Sequence, residues 1–290
     1  MIVAAQAHDD LGVNAFARID VFAAMARELK LIFRPLDGYA ALYLPSVHGS
    51  RAGALINDQH PLALQRYSGG HELGHHRFDH GAQIDTAVEL RLSGQTLPAH
   101  EMLAEAFAAW FLMPPERSDV VAETLGVERP TTPLDVYAMA LRFGTSYSAT
   151  CVHLPSLKRA TSADVRQWQR LALKTIKQML TPTAPTGGWA NDVWVVGTRD
   201  AAEPLVVRAG DRLLFDEAEI VQLPTGATEA AIPAPDLLTP ARTVVDLSPQ
   251  IDAGPATVTV AVDGDAISYE LLIERPRHGL YVASFVGASA

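Results

Sequence analysis

Two histidines four residues apart, His71 and His75, enclose a glutamate and are the side chains best arranged for chemistry. Residues four apart on a helix lie one above the other, so both imidazoles can face one metal ion. Glu72, one position along, then reaches the attacking water instead of the metal. Zinc lowers the pKa of such a water toward about 7, and Glu72 takes its proton as attack on a carbonyl begins. This HExxH spacing predicts metal-dependent hydrolysis of an amide bond.

A catalytic zinc needs a third protein ligand, and three downstream carboxylates are candidates. Glu101 and Glu105 lie four apart on one predicted helix and therefore on the same face, so spacing alone does not choose between them. Glu89 is the weaker candidate because its segment has the pattern of a loop or a short strand.

Further polar residues next to the motif invite functional interpretation. At 100° per residue, His76 and His80 lie about 140° and 180° from His71, off the metal face, so we predict structural or solvated roles for them. Asp79 would hydrogen-bond a ligand imidazole only if the helix ended near it. Arg66 and Tyr67 precede the motif by one turn, and packing is the favoured role for both. No residue is assigned to stabilise the oxyanion.

The elements around the motif predict an α+β unit. Helical apolar spacing covers residues 13–29. Turn residues then separate three short β-like runs, which is the pattern of a small antiparallel sheet. The runs span 31–36, 39–44 and 52–58. Two helices follow, one at 62–80 that carries the motif and one at 99–112 that Pro114 and Pro115 end.

The next region has the layout of a helix-turn-helix. One helix begins at Pro133, breaks at Gly144 and is followed by a second helix after the N-cap residue Ser146. A further helical stretch, 162–180, closes the region. Residues 134–180 have a net charge of +5, and the basic residues are Arg142, Lys158, Arg159, Arg166, Arg170, Lys174 and Lys177.

This basic region has two interpretations. In the first, Lys158, Arg159, Arg166 and Arg170 contact DNA phosphates while the helix after Ser146 lies in the groove. In the second, the region packs on the peptidase unit and orients a protein substrate. The stretch 147–152 contains no Arg, Lys, Asn or Gln, the residues that read base edges, so we favour the second interpretation.

The C-terminal part of the chain is predicted to be rich in β-strands. Residues 181–188 form a Pro, Thr and Gly run that is typical of a linker. Strand-like segments with Gly and Asp turns follow it, and the Pro-rich interval 224–242 is expected to be a long loop. The predicted domains are a peptidase-like domain, a helix-turn-helix region and a β-rich domain of unknown role, at 1–130, 131–182 and 189–290.

Composition narrows the function classes. The 290 residues are 48% hydrophobic and 19% charged with a mean hydropathy of +0.09, which describes a globular chain. A net charge of -10 argues against a chain built to coat nucleic acid or an anionic membrane. We read no signal peptide and no membrane span. The single cysteine, Cys151, is expected to be a buried small hydrophobe, and its isolation fits a reducing compartment. We therefore predict a cytoplasmic protein.

The active-site helix pair resembles the ImmA/IrrE-type zinc peptidases. The strings that carry the resemblance are QRYSGGHELGHHRFDH and EMLAEAFAAWFLMPP. In that family a HELGH segment is followed by a Glu, five variable residues, Phe-Ala and a terminal Leu-Met-Pro. Glu101, Phe107 and Ala108 occupy these places here, as do Leu112, Met113 and Pro114. The resemblance favours Glu101 as the third ligand and implies that Glu105, where the family often has Asn, either supports a ligand from behind or lies on the surface.

The resemblance covers roughly residues 20–155. Within it, AGALIND resembles the family's edge strand ahead of the active-site helix, which could pair with an extended substrate backbone. The helix-turn-helix is similar to that of the family's radiation-response regulators, which cleave helix-turn-helix repressors and derepress genes. The β-rich part from residue 190 onward lacks recognisable motifs of the GAF-like domain that those regulators carry.

The resulting expectation is a zincin-like zinc endopeptidase that cleaves a transcriptional repressor or an antitoxin-like protein in a stress response. His71, His75 and Glu101 are its expected metal ligands and Glu72 its general base. Manganese is an alternative metal, because sites of two His and one Glu accept several divalent ions. The alternative function is a DNA-binding or sensory regulator whose metal is structural. A purely structural site has no use for Glu72, which favours the peptidase.

Overall fold

The computed structural model describes residues 1–81, 83–84, 97–232 and 242–281. These residues form two compact units. Unit 1 contains Met1–Ser118, Phe143–Ala149 and the C-terminal residues from Pro276, and unit 2 contains Asp119–Arg142 and Thr150–Arg275. Across the described ranges we find no helix with the length and apolarity that crossing a membrane requires.

Unit 1 combines helices with one five-stranded sheet, which confirms the predicted α+β class. The helices are α1 (Ile2–Asp10), α2 (Val21–Ala26), α3 (Leu62–Arg77) and α4 (Ala99–Leu112). The strands are β1 (Lys30–Arg34), β2 (Ala41–Leu44), β3 (Gly53–Asn57), β4 (Gln83–Ile84) and β13 (Gly279–Leu280). The three predicted strands and α4 lie where the sequence placed them, and α3 ends three residues earlier than predicted.

The N-terminal helix prediction was largely wrong. Of residues 13–29, only Val21–Ala26 are helical, and α1 precedes them. Asp20 explains where α2 begins, because its carboxylate accepts hydrogen bonds from the backbone N–H groups of Phe22 and Ala23. An N-cap residue has non-helical backbone angles, so the apolar spacing before Asp20 reflects packing of an irregular segment.

The sheet is mixed, which corrects the prediction of an antiparallel sheet. Its strand order is β13-β1-β3-β2-β4, and β1 pairs with β3 in parallel while β2 is antiparallel to β3. The predicted edge strand AGALIND corresponds to β3, which is interior and bonded on both sides. Its backbone is therefore already paired and cannot receive a substrate strand, so that part of the expectation was wrong.

The C-terminal residues complete this sheet. Strand β13 pairs antiparallel with β1, and the Tyr281 N–H donates to the Leu31 carbonyl at 2.9 Å. The Tyr281 ring lies 6.5 Å from that of Phe22 and 6.1 Å from that of Phe33, between ring centroids. A segment at the end of the sequence thus contributes to the core of the N-terminal unit.

Three glycines allow α3 to approach its neighbours closely. A Cβ atom built on Gly70 would lie 3.3 Å from the Ala108 Cβ atom, and one built on Gly74 would lie 3.1 Å from the Ala104 Cα atom. Gly69 makes a similar approach to Phe22. Glycine destabilises a helix by about 1 kcal/mol relative to alanine. Here, however, it allows the backbone of α3 to pack directly against the small side chains of α4.

Leucine at position 74 is expected to push α3 and α4 apart. The atoms that a new side chain would meet include the Ala104 Cα and carbonyl oxygen, which cannot rotate away. We expect Gly74→Leu to lower the free energy of unfolding by about 1–3 kcal/mol and to weaken metal binding. Denaturant unfolding and metal titration measure the two effects, with Ala63→Leu near the start of α3 as the control. Equal stability of the two variants would contradict this packing role.

Three more helices follow α4 along the chain: α5 (Pro115–Leu125), α6 (Pro133–Phe143) and α7 (Tyr147–His153). Helix α5 was not predicted, because Pro114 and Pro115 indicate the end of α4, but proline at a first helical position also favours the start of a helix. Helices α6 and α7 lie where the helix-turn-helix was predicted, with Gly144 at a φ of 69° between them. The Ala149 N–H donates to the Ser146 hydroxyl at 3.1 Å, as expected of an N-cap.

Unit 2 contains two four-stranded sheets that share one hydrophobic core. Helices α8 (Ser162–Trp168) and α9 (Leu173–Leu180) precede the strands and replace the single predicted stretch 162–180. One sheet has the order β5-β7-β10-β9 and the other β6-β12-β11-β8. The strands are β5 (Val193–Val195), β6 (Leu205–Arg208), β7 (Arg212–Asp216), β8 (Ala218–Gln222), β9 (Ala227–Ile232), β10 (Arg242–Leu247), β11 (Gly254–Val262) and β12 (Asp265–Glu274). The core includes Leu213 and Val245 from the first sheet and Val260 and Leu271 from the second.

Two predicted irregular segments have more structure than expected. The interval 224–242 was predicted to be a loop, but residues 227–232 form β9, while 233–241 lie outside the described residues. The predicted linker 181–188 lies within unit 2, where the Arg212 guanidinium donates to the Thr181 hydroxyl and the Thr183 carbonyl at 2.9 Å.

Candidate metal centre

Two neighbouring helices of unit 1 bring the candidate site residues together. Helix α3 carries His71, Glu72 and His75, and the first turn of α4 carries Glu101. All four side chains are buried, with exposed fractions of 1%, 0%, 0% and 5%. The helix N-terminus also favours an anionic side chain in its first turn, which suits the Glu101 carboxylate. The close packing of α3 on α4 therefore decides the geometry of the centre.

The donor atoms have the spacing of a metal site. Ligand atoms of His71, His75 and Glu101 all lie within 4.8 Å of one another. The His71 Nε2 atom is 2.9 Å from the His75 Nε2 atom and 3.0 Å from a Glu101 oxygen, and the His75 Nε2 atom is 3.6 Å from the other oxygen. A tetrahedral ion with bonds of about 2.0–2.1 Å needs donors about 3.3 Å apart. These three residues thus fit a divalent ion.

The protonation states favour metal binding as well. Burial raises the pKa of Glu101, but hydrogen bonds from His71 and His75 outweigh it and hold the pKa well below its usual range. Burial also lowers the pKa of His75, which keeps its imidazole neutral near pH 7. An ionised carboxylate and a neutral imidazole are the forms in which these groups bind metals.

The two helical carboxylates have different surroundings. Glu101 lies against both imidazoles, whereas a Glu105 oxygen lies 3.6 Å from the His71 Nδ1 atom, on the far side of the ring. The Tyr67 hydroxyl donates to the other Glu105 oxygen at 2.9 Å. The geometry therefore favours Glu101 as the ligand and places Glu105 behind His71. The third candidate, Glu89, lies outside the described residues.

His80 lies outside the group of candidate ligands, as predicted, but it contacts one of them. Its Nδ1 atom lies 2.8 Å from the Nδ1 atom of His75. A helix through residue 80 would place its ring about 180° from His71, but α3 ends at Arg77 and Asp79 has a φ of 52°, in the left-handed region. The His80 N–H then donates to the His75 carbonyl at 3.0 Å, which is the hydrogen bond of a Schellman motif. The sequence signal for this helix end is Asp79, because aspartate tolerates the left-handed conformation better than most residues.

The other neighbours of the motif have structural contacts. The His76 Nδ1 atom is 3.0 Å from the Tyr43 hydroxyl on strand β2, and its other nitrogen lies 3.7 Å from Glu28. Arg66 is buried and donates to the carbonyls of Ile19 and Gly144 at 2.5 and 2.8 Å. These contacts agree with the packing roles predicted for His76 and Arg66.

The basic region contains cations that are buried inside unit 2. Arg142 pairs with Asp200 at 2.6 Å, and Lys177 pairs with Asp192 at 2.9 Å. Both cations are at most 3% exposed. They pair with carboxylates of unit 2, of which Asp200 is buried and Asp192 is half-buried, and are not part of a phosphate-facing surface. The exposed members of the basic set are Lys158, Arg166, Arg170 and Lys174.

A comparison with known families finds a match to the region around the centre. A family model described as IrrE N-terminal-like domain, of peptidase family M78, matches residues 24–154, slightly less than half of the chain. The matched range includes His71, Glu72, His75 and Glu101. A comparison with curated proteins found no match.

Proposed function

Residues 24–154 form an IrrE N-terminal-like domain of peptidase family M78, and from this premise we propose that the protein is a zinc-dependent endopeptidase that cleaves a transcriptional repressor. The observation that carries the proposal is the group of His71, His75 and Glu101, whose ligand atoms lie within 4.8 Å of one another beside the buried Glu72. Two imidazoles and one carboxylate are the protein ligands of many catalytic zinc sites.

The residues divide the chemistry between them. An ion held by His71, His75 and Glu101 would supply Lewis acidity toward a water molecule and the scissile carbonyl. Glu72 accepts a proton from the water as the water oxygen bonds to the carbonyl carbon. The same carboxyl then donates that proton to the amide nitrogen as the carbon–nitrogen bond breaks. One water is consumed, and the products are a new carboxyl terminus and a new amino terminus.

Burial of Glu72 supports this role. Its side chain is fully shielded from bulk solvent on the same helix as both histidines. It follows His71 directly, so it projects about 100° around the helix from that ligand. Glu72 does not belong to the group of side chains that could hold an ion, so its carboxylate is the proposed acceptor of the proton of the reacting water, a role that a purely structural metal site would not require.

The substrate class is inferred from the resemblance to regulators that cleave helix-turn-helix repressors. We propose a repressor or an antitoxin-like protein as the substrate, and release of repression as the outcome. Zinc is the proposed ion because two imidazoles and a carboxylate suit it, and manganese would be accepted where it is more available. Peptide hydrolysis, and not DNA binding by the basic region, is the proposed activity.

Metal removal and restoration test the proposal. We expect the chelated protein to leave intact the helix-turn-helix repressor that is encoded nearest its gene, and the protein restored with zinc to cut it. Mass spectrometry of the repressor measures the loss of intact chain and identifies the cleaved bond. Cutting that is equally fast without metal would contradict the mechanism. An intact repressor in the presence of a zinc-loaded protein would contradict this substrate.

A further inference from the structure

His80 contacts a predicted ligand from outside the HExxH motif. The chain reverses at Asp79, and the ring of His80 returns to within 2.8 Å of His75, measured between their Nδ1 atoms. The His80 ring stacks on Phe78 with centroids 5.6 Å apart, and its backbone N–H is bonded to the His75 carbonyl. Backbone and ring contacts thus hold the His80 side chain in place.

The geometry determines which nitrogen carries which proton once a metal is bound. The Nε2 atom of His75 faces His71 and Glu101 at 2.9 and 3.6 Å, so it is the nitrogen on the metal side. A neutral imidazole whose Nε2 lone pair is donated to a metal carries its proton on Nδ1. His75 is then the donor in the bond to His80, and the His80 Nδ1 atom is the acceptor. The proton of His80 must therefore reside on its own Nε2 atom.

We propose that His80 is a positioning residue for the metal centre, accepting the Nδ1 proton of His75 and so fixing the ring orientation and tautomer of that ligand. This inference rests on the proposed function, because it assumes that His75 binds the metal. It extends that function by assigning a role to a residue outside the three ligands and the general base. Outer partners of this kind orient ligand imidazoles and increase their basicity.

The two ligand histidines have different outer partners. The Nδ1 atom of His71 lies 3.6 Å from a carboxylate oxygen of Glu105. The Nδ1 atom of His75 lies 2.8 Å from a ring nitrogen of His80. Only the second separation is within hydrogen-bonding range. The bond to His80 is therefore a contact that can orient the His75 ring.

Substitution of His80 tests the proposal through metal binding, without a peptidase assay. We expect His80→Ala to weaken zinc affinity by about 10–100-fold in a chelator competition and to change the visible absorption spectrum of the cobalt-loaded protein. His80→Asn places an amide oxygen near the position of Nδ1 and should restore most of the affinity. The matched control is His76→Ala, since His76 bonds to Tyr43 and should leave both readouts unchanged.

A second measurement uses the unaltered protein. In the zinc-loaded, ¹⁵N-histidine-labelled chain, NMR should show the His80 proton on Nε2 and the His75 proton on Nδ1. The opposite tautomer at His80, or equal zinc affinity of His80→Ala and the unaltered protein, would overturn the proposal. Failure of the unaltered protein to bind zinc would instead contradict the proposed function, so the two failures are distinguishable.

Discussion

Replacing Glu72 by glutamine is expected to slow repressor cleavage by about 10²–10⁴-fold while zinc remains bound, because removal of a general base costs a factor of this size. Glutamine has nearly the same shape as glutamate but cannot accept the proton of the attacking water. The three proposed ligands are unchanged in this variant, so its metal content should equal that of the unaltered protein. The reaction should therefore lose its proton acceptor and keep its Lewis acid.

The measurement pairs a cleavage rate with the zinc content of the same sample. An appropriate control is Glu116→Gln, the same change at an exposed position in the first turn of α5. We expect the control to cleave at the unaltered rate. Full activity of Glu72→Gln would refute the assignment of the base, whereas loss of zinc from this variant would mean that Glu72 has a ligand or structural role.

Replacing Glu101 by alanine is expected to remove the metal and, with it, the activity. The variant loses one of the three proposed ligands. The lost ligand is also the only one of the three that carries a negative charge. The loss of zinc affinity should exceed the about 10–100-fold typical of substitutions beyond the ligands. Competition with a chromophoric chelator measures that affinity, and circular dichroism establishes that the helices are retained.

The matched variant is Glu105→Ala, one helical turn along α4. Glu105 lies behind His71 and bonds to Tyr67, so its removal should weaken binding far less than removal of Glu101. This comparison resolves the choice that sequence spacing left open between the two carboxylates. A larger loss of zinc in Glu105→Ala than in Glu101→Ala would reverse the assignment of the third ligand.

The predictions from sequence succeeded where local geometry controls the outcome. The two histidines share a helix, and a spacing of four residues places them on one face whatever surrounds that helix. The end of α4 could be predicted because Pro114 and Pro115 follow it. Burial of Cys151 was also predicted correctly, since it lies on an apolar helical pattern.

Two errors arose where distant segments decide the structure. The parallel pairing of β1 with β3 depends on how the chain crosses the sheet, which strand patterns do not encode. Nothing in the local sequence indicates that β13 returns to β1 from the other end of the chain. A further error was local: α3 ends at Arg77 and not at residue 80, and the turn at Asp79 brings the His80 ring back to His75.

The sequence by itself determined which side chains share the motif helix: two imidazoles and the carboxylate of Glu72, whose relative positions follow from the helical repeat. The tertiary structure decided which carboxylate completes the donor set, because α3 and α4 approach through Gly70 and Gly74 at one particular register. It also decided what lies behind each ligand, His80 for His75 and Glu105 for His71. Contacts within a helix depend on spacing along the chain, whereas contacts between segments depend on packing of the whole unit.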